Sequence, residues 1–186
     1  MIARNESSAL TPAVSETDHA EGPAAARVTL VEYGDYECSH CGSAFPIVKK
    51  LQQEMGRELR FVFRNFPLRE AHPHAWHASI AAEVVGAKGE KAFWEMHDTL
   101  YENQQALDDD DLAKHAKKFG VTSEELTTAF AGGQFADRVR ADFRGGVRSG
   151  VNATPTFFVN GERYDSNWTD VSEFLAALRA AAKTRA

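Results

Sequence analysis

Cysteine is scarce in this chain of 186 residues, which has two, Cys38 and Cys41, both within Cys38-Ser39-His40-Cys41. A framework of structural disulfides is therefore excluded. There is no basic excess either: 21 basic against 27 acidic residues leave a net charge of -6, and the pI is near 5.6. Nothing in that balance neutralises phosphates, so no nucleic-acid partner is expected. No apolar run approaches the ~20 residues of a membrane span, so no membrane partner is expected. A secretory signal, with its basic start and apolar stretch of roughly 7–15 residues, is also missing. With a starting Met, the expected setting is cytoplasmic. In such a reducing compartment an isolated Cys-x-x-Cys points to redox or metal chemistry, not to a bridge.

The chain does have apolar content for a core, at 43% of its residues. Residues 1–26, rich in Ala, Ser, Glu, Thr and Pro, read as a flexible N-terminal arm. Val28 to Tyr33 is a β-branched and aromatic run stopped by Gly34-Asp35, a buried strand. Ala44, Ile47, Val48 and Leu51 then fall at helical spacing, with Pro46 inside the helix. Leu59, Phe61 and Phe63 alternate with Arg60, Val62 and Arg64 in a second strand. A helical stretch follows, with apolar positions at Trp76, Ile80 and Val84, at Phe93, Met96, His97 and Leu100, and at Leu112 and Ala116. Thr122-Ser123-Glu124-Glu125 is a capping box, and Phe135, Val139, Phe143 and Val147 recur along a further helix. Strand character returns at Thr156 to Val159, turns at Asn160-Gly161 and resumes at Glu162. Asp170 and Glu173 open a last helix. The order is β-α-β, helices, then β-β-α, with the cysteines at the first strand-to-helix junction.

This arrangement resembles the thioredoxin superfamily, and its DsbA-like branch in particular. The resemblance rests on Glu32-Tyr33-Gly34-Asp35-Tyr36-Glu37-Cys38-Ser39-His40-Cys41 and on Gly150-Val151-Asn152-Ala153-Thr154-Pro155-Thr156-Phe157. It implies an α/β architecture, a thioredoxin fold with an inserted helical subdomain. Residues 27–66 and 150–186 would form the thioredoxin-like core and 67–149 the helical insertion. The dipeptide between the cysteines is Ser39-His40, where the best-known relatives carry Pro-His.

A thiol at a helix N-terminus faces unpaired N–H groups and the positive end of the helix dipole, which favour its thiolate. Cys38 sits there and is the expected nucleophile, with Cys41, one turn deeper, as the resolving thiol. His40 is expected to add a charge or a hydrogen bond in support of the thiolate, and Ser39 to lie along the substrate path. The resemblance assigns Glu32 as the buried carboxylate that relays a proton to the resolving thiol. It assigns Thr154 and Pro155 to a cis-proline loop that faces the cysteines and holds an extended peptide. The expected function is thiol–disulfide exchange with protein or peptide thiols and disulfides, without an organic cofactor, with a separate redox partner recycling the pair. Two other functions fit the pattern less well. One is a chaperone-like peptide-binding module with non-catalytic thiols; the other is a glutathione-linked transferase or isomerase, which usually lacks the second cysteine. Zinc on the two cysteines would need two further ligands. The run His72-Pro73-His74-Ala75-Trp76-His77 is read as a helix start with Pro73 in its first turn, and no metal site is assigned.

Overall fold

The structure, a computed structural model, describes residues 9–184. Strands β1 (His19–Glu21), β2 (Val28–Gly34), β3 (Leu59–Asn65), β4 (Thr156–Val159) and β5 (Glu162–Tyr164) form one mixed sheet in the order β1-β3-β2-β4-β5. Helix α1 (Ser39–Met55) carries the chain from β2 to its parallel neighbour β3, because parallel strands need a crossover of this kind. The β4–β5 hairpin turns on Asn160 and Gly161, whose φ values of 51° and 88° are the left-handed pair that a two-residue turn requires. Between β3 and β4 stand α2 (Ala75–Gly86), α3 (Glu90–Glu102), α4 (Asp109–Lys117), α5 (Ser123–Ala131) and α6 (Gln134–Arg148), and α7 (Val171–Lys183) closes the described chain. This is the thioredoxin fold with a helical insertion that the sequence predicts.

Strand alternation sorts the side chains into two layers. Leu30, Phe61, Phe63 and Phe157 join the main core with α1 and α3, while Val31, Tyr33, Val62 and Phe158 pack with Phe66 and Val151 on the other face. Glu32 lies two residues after Leu30 and so shares the face that α1 covers. The predicted caps form as well. Asp108 accepts from the N–H of Asp111, Thr122 and Glu125 make the capping box, and Asp170 accepts from Ser172 and Glu173.

Helix α6 departs from its predicted apolar stripe. Val147 is 55% exposed, whereas Gly145 and Gly146 are buried. The two glycines let the helix backbone approach the sheet closely. A Cβ on Gly146 would lie 2.5 Å from Phe66 Cδ2, and one on Gly145 3.1 Å from Pro12 Cδ. Gly146→Ala gains about 1 kcal/mol in helix propensity but overpacks against an aromatic ring. The expected net effect is a loss of about 1–2 kcal/mol, read from urea unfolding. An unchanged or raised midpoint would show that the close packing at Phe66 yields easily.

The N-terminal segment corrects the expectation of a flexible arm over 1–26. Residues 1–8 lie outside the described residues, but 9–26 are built into the fold. Ala9 bridges Glu162 beside β5, and the Leu10 N–H donates to Gly161 O at 2.9 Å. Ser149 Oγ accepts from the Thr11 N–H at 2.8 Å and donates to Thr11 O at 3.0 Å. The segment then crosses the sheet face and becomes β1, antiparallel to β3 at the opposite edge. The physical reason is Arg64, which is 3% exposed. A buried guanidinium needs acceptors for its donors. They come from Pro12 O at 2.8 Å, Ala13 O at 3.2 Å, Tyr33 Oη at 3.0 Å and the Asp18 carboxylate at 2.8 and 3.0 Å.

Candidate active site

The turn from β2 into α1 is held by a buried acid. Asp35 is fully buried, and its carboxylate accepts from the N–H groups of Glu37 and Leu68 and from His72 Nδ1, each at 2.8 Å. Its carbonyl accepts from the Cys38 N–H at 3.2 Å. The helical insertion adds a second clamp. Gln104 Nε2 donates to Tyr36 O at 2.8 Å and to Cys38 O at 2.9 Å, and Gly42 leaves the room that Gln104 Oε1 occupies. Neither Asp35 nor Gln104 is among the site residues expected from the sequence. Asp35 did carry a signal, since an Asp accepting from the N–H two residues on is a common turn device. Gln104 carried none.

These contacts set Cys38 at the N-cap of α1, with extended backbone at φ -70° and ψ 121°. Both cysteines are free thiols, Cys38 5% exposed and Cys41 fully buried. The Cys38 thiol is pushed down to about 5, first by its hydrogen bond with the Cys41 thiol. Burial opposes that shift, while the Thr154 side chain and the N–H groups of Cys41 and His40 add to it. Cys41 moves the other way. Burial pushes it well above the usual thiol range, and its bond to Cys38 and the nearby Glu32 push it further. One thiol is thus prepared as a thiolate, and its neighbour is kept protonated.

The other predicted residues divide in two groups. Thr154, 7% exposed, is brought to the pair: Cys38 Sγ donates to Thr154 O at 3.5 Å, and the Thr154–Pro155 peptide is cis. Glu32, 2% exposed, lies beneath them, its Oε1 without a hydrogen-bond partner among the described residues. Burial, and then the charge of Cys38, pushes its carboxyl up to about 8. Ser39 and His40 instead lie exposed on the first turn of α1. The His40 imidazole makes no hydrogen bond among the described residues, so the help it gives Cys38 comes from its backbone N–H. The histidine run is spent on separate partners. His72 pairs with Asp35, the His74 N–H donates to Glu37 at 2.6 Å, and His77 pairs with Asp109 at 2.6 Å while stacking on Phe130.

A family model described as Thioredoxin matches residues 14–178. The Na(+)/H(+) antiporter NhaA 1 of Salinispora arenicola is 39% identical over 176 residues, which make up 95% of this chain and 26% of that protein. The chain thus spans about a quarter of the length of the curated relatives it matches, and no helix among its described residues is long and apolar enough to cross a membrane. Among solved structures, oxidised BdbD from Bacillus subtilis superposes with a TM-score of 0.80 at 26% identity, covering 89% of this chain and 93% of that one. Alpha-DsbA1 from Wolbachia pipientis gives 0.74 at 15% identity, covering 92% and 94%. With two free cysteines at the mouth of a thioredoxin fold and a family model that covers residues 14–178, the chain belongs to the thioredoxin family.

Proposed function

We propose that this chain exchanges its Cys38/Cys41 dithiol and disulfide with protein or peptide partners, Cys38 attacking and Cys41 resolving. The observation that carries the proposal is the placement of Cys38 at the N-cap of α1 with Cys41 one turn deeper and fully buried, an arrangement that pushes the first thiol down to about 5 and the second well up. As a reductant, the Cys38 thiolate attacks a substrate disulfide, forms a mixed disulfide and releases one substrate thiolate. Cys41 gives up its proton and attacks the Cys38 sulfur, closing the Cys38–Cys41 disulfide as the second substrate thiolate leaves. Run backwards, the same steps oxidise a substrate dithiol. Glu32, beneath the pair, takes or returns the proton of Cys41. Thr154 and Pro155 form the wall against which an extended substrate lies, and Ser39 and His40 face it from the helix.

A stabilised thiolate favours the dithiol state and makes the disulfide a better oxidant. Lowering a thiol from near 9 to about 5 favours the dithiol at pH 7 by roughly a hundredfold before solvent screening reduces the gain, or about 60 mV at most. The cytoplasmic setting expected from the sequence is part of the proposal. In a cytosol poised at roughly -220 to -320 mV such a pair rests reduced and a second redox partner turns it over. Equilibration against a glutathione series is the test. The expected potential lies above the roughly -270 mV of thioredoxin, and a value at or below it would remove the thiolate argument. A binding module would keep its activity when both cysteines are replaced by Ser, whereas an exchange enzyme loses it.

A further inference from the structure

Among the described residues, Glu32 Oε1 and the Tyr101 hydroxyl are buried near the thiol pair without a hydrogen-bond partner. They come from distant parts of the chain, β2 and α3, yet they flank one backbone position. A Cβ on Gly34 would stand 2.7 Å from Tyr101 Oη and 3.1 Å from Glu32 Oε1. Two oxygens that close to a common point are near enough to be joined by one bridging water or by a small shift of either side chain. Cys41 completes the group, because its thiol lies close enough to feel the Glu32 charge and the Asp35 N–H and to act in turn on the Tyr101 hydroxyl. The carboxyl, the phenol and the resolving thiol therefore gather around the Gly34-Asp35 peptide.

The Tyr101 ring is tightly boxed. Its centroid lies 5.0 Å from those of Tyr36 and His97, 5.3 Å from Phe45 and 6.2 Å from Phe63. Phe would fill that box equally well without burying a hydroxyl. A hydroxyl kept dry and unpaired is unfavourable, so packing gives no reason for it. Phe63 occupies the other side of the space that a Gly34 side chain would need, so the phenol cannot be displaced far.

We propose that Tyr101 is a positioning residue of the Cys41 proton path, its hydroxyl donating to the Glu32 carboxylate. The inference rests on the exchange function proposed above. In the mixed disulfide the negative charge of Cys38 is gone, and with it one of the two causes that keep Glu32 protonated. The carboxylate that then forms receives the Tyr101 hydrogen bond and takes the Cys41 proton. The Cys41 sulfur bonds to the Cys38 sulfur, the bond from Cys38 to substrate breaks, and substrate leaves as a thiolate. The electrons balance within the two disulfides, and the proton ends on Glu32.

The test is stopped-flow measurement of mixed-disulfide resolution against pH, with a disulfide-linked peptide as probe. Wild type, Tyr101→Phe, Glu32→Gln and the double variant are compared. Tyr101→Phe is expected to slow resolution about tenfold at pH 7, since a hydrogen bond to a charged group is lost, and to move the midpoint of the pH profile upward. The first attack by Cys38 should keep its wild-type rate. In the Glu32→Gln background Tyr101→Phe should add no further slowing. An unchanged pH profile in Tyr101→Phe, or equal slowing in both backgrounds, would overturn the assignment while leaving the exchange function standing. A wild-type chain that forms no mixed disulfide through Cys38 overturns that function and this inference together.

Discussion

Brief iodoacetamide treatment of the reduced protein at pH 6 is expected to label Cys38 and leave Cys41 almost untouched, with rates more than a hundredfold apart. With its thiol near 5, Cys38 is mostly thiolate at that pH. An ordinary thiol near 9 is ionised to only about one part in a thousand. Intrinsic nucleophilicity falls with pKa, with a slope of roughly 0.4–0.5, so Cys38 should exceed an ordinary thiol by only about tenfold. The larger part of the contrast comes from Cys41. It is fully buried and shifted upward, so it is both less ionised than an ordinary thiol and shielded from the reagent. Peptide mapping gives the ratio, and a rate profile for Cys38 gives its midpoint. Predominant label on Cys41 would reverse the two roles. A Cys38 midpoint near 9 would mean that the helix terminus and the Cys41 hydrogen bond do not stabilise the thiolate.

Glu32→Gln should stabilise the protein at neutral pH even as it slows exchange. The Glu32 carboxyl is raised from 4.5 to about 8 in the fold, so between these values the folded chain holds a proton that the unfolded chain has released. Stability from this group is therefore undiminished below about pH 4.5, falls as pH rises, and reaches its lowest level above about pH 8. At pH 7 the accumulated cost is about 3 kcal/mol, from about 1.4 kcal/mol per pH unit. Gln cannot ionise and escapes it. Urea unfolding of the reduced protein is expected to place Glu32→Gln about 2–3 kcal/mol above wild type at pH 7, with the two converging near pH 4.5. Equal midpoints at both pH values would mean that Glu32 is paired or solvated, and it would then lose its claim to the proton path. The Cys38 thiolate slopes the other way, since its lowered value adds stability as pH rises from about 5. Oxidation removes that contribution, so the oxidised protein should lose stability more steeply with pH than the reduced one.

What could be read from the sequence was local or paired by motif. The strands β2 to β5, the hairpin at Asn160-Gly161 and the capped helices each carry their own periodicity or turn chemistry, so they appear without tertiary information. The cysteine pair was legible because two residues at helix-start spacing have few other uses in a chain without disulfides. Thr154 and Pro155 came from the resemblance alone, since nothing in their own neighbourhood points 116 residues back to Cys38. Strand β1 was illegible: His-Ala-Glu has no β-branched residue and no alternation, and it is a strand only because β3 offers a free edge. The burial of Asp35 was not legible because its three donors come from Glu37, Leu68 and His72, two of them beyond the next strand. Gln104 and Tyr101 reach the site from the helical insertion, where their spacing fits an ordinary helix face and the turn that follows it.

The segment from Ala9 to Glu21 touches both margins of the sheet, bridging Glu162 at one and pairing with Phe61 to Phe63 at the other. Unpaired strand margins invite other chains to add to them and are a common origin of aggregation. Here a single stretch of backbone guards both, pinned midway by the Arg64 guanidinium. Protection of the two margins is therefore a shared property. A proteolytic nick near Val14 would weaken both guards at once and leave both margins open to self-association, with the thiol pair still intact.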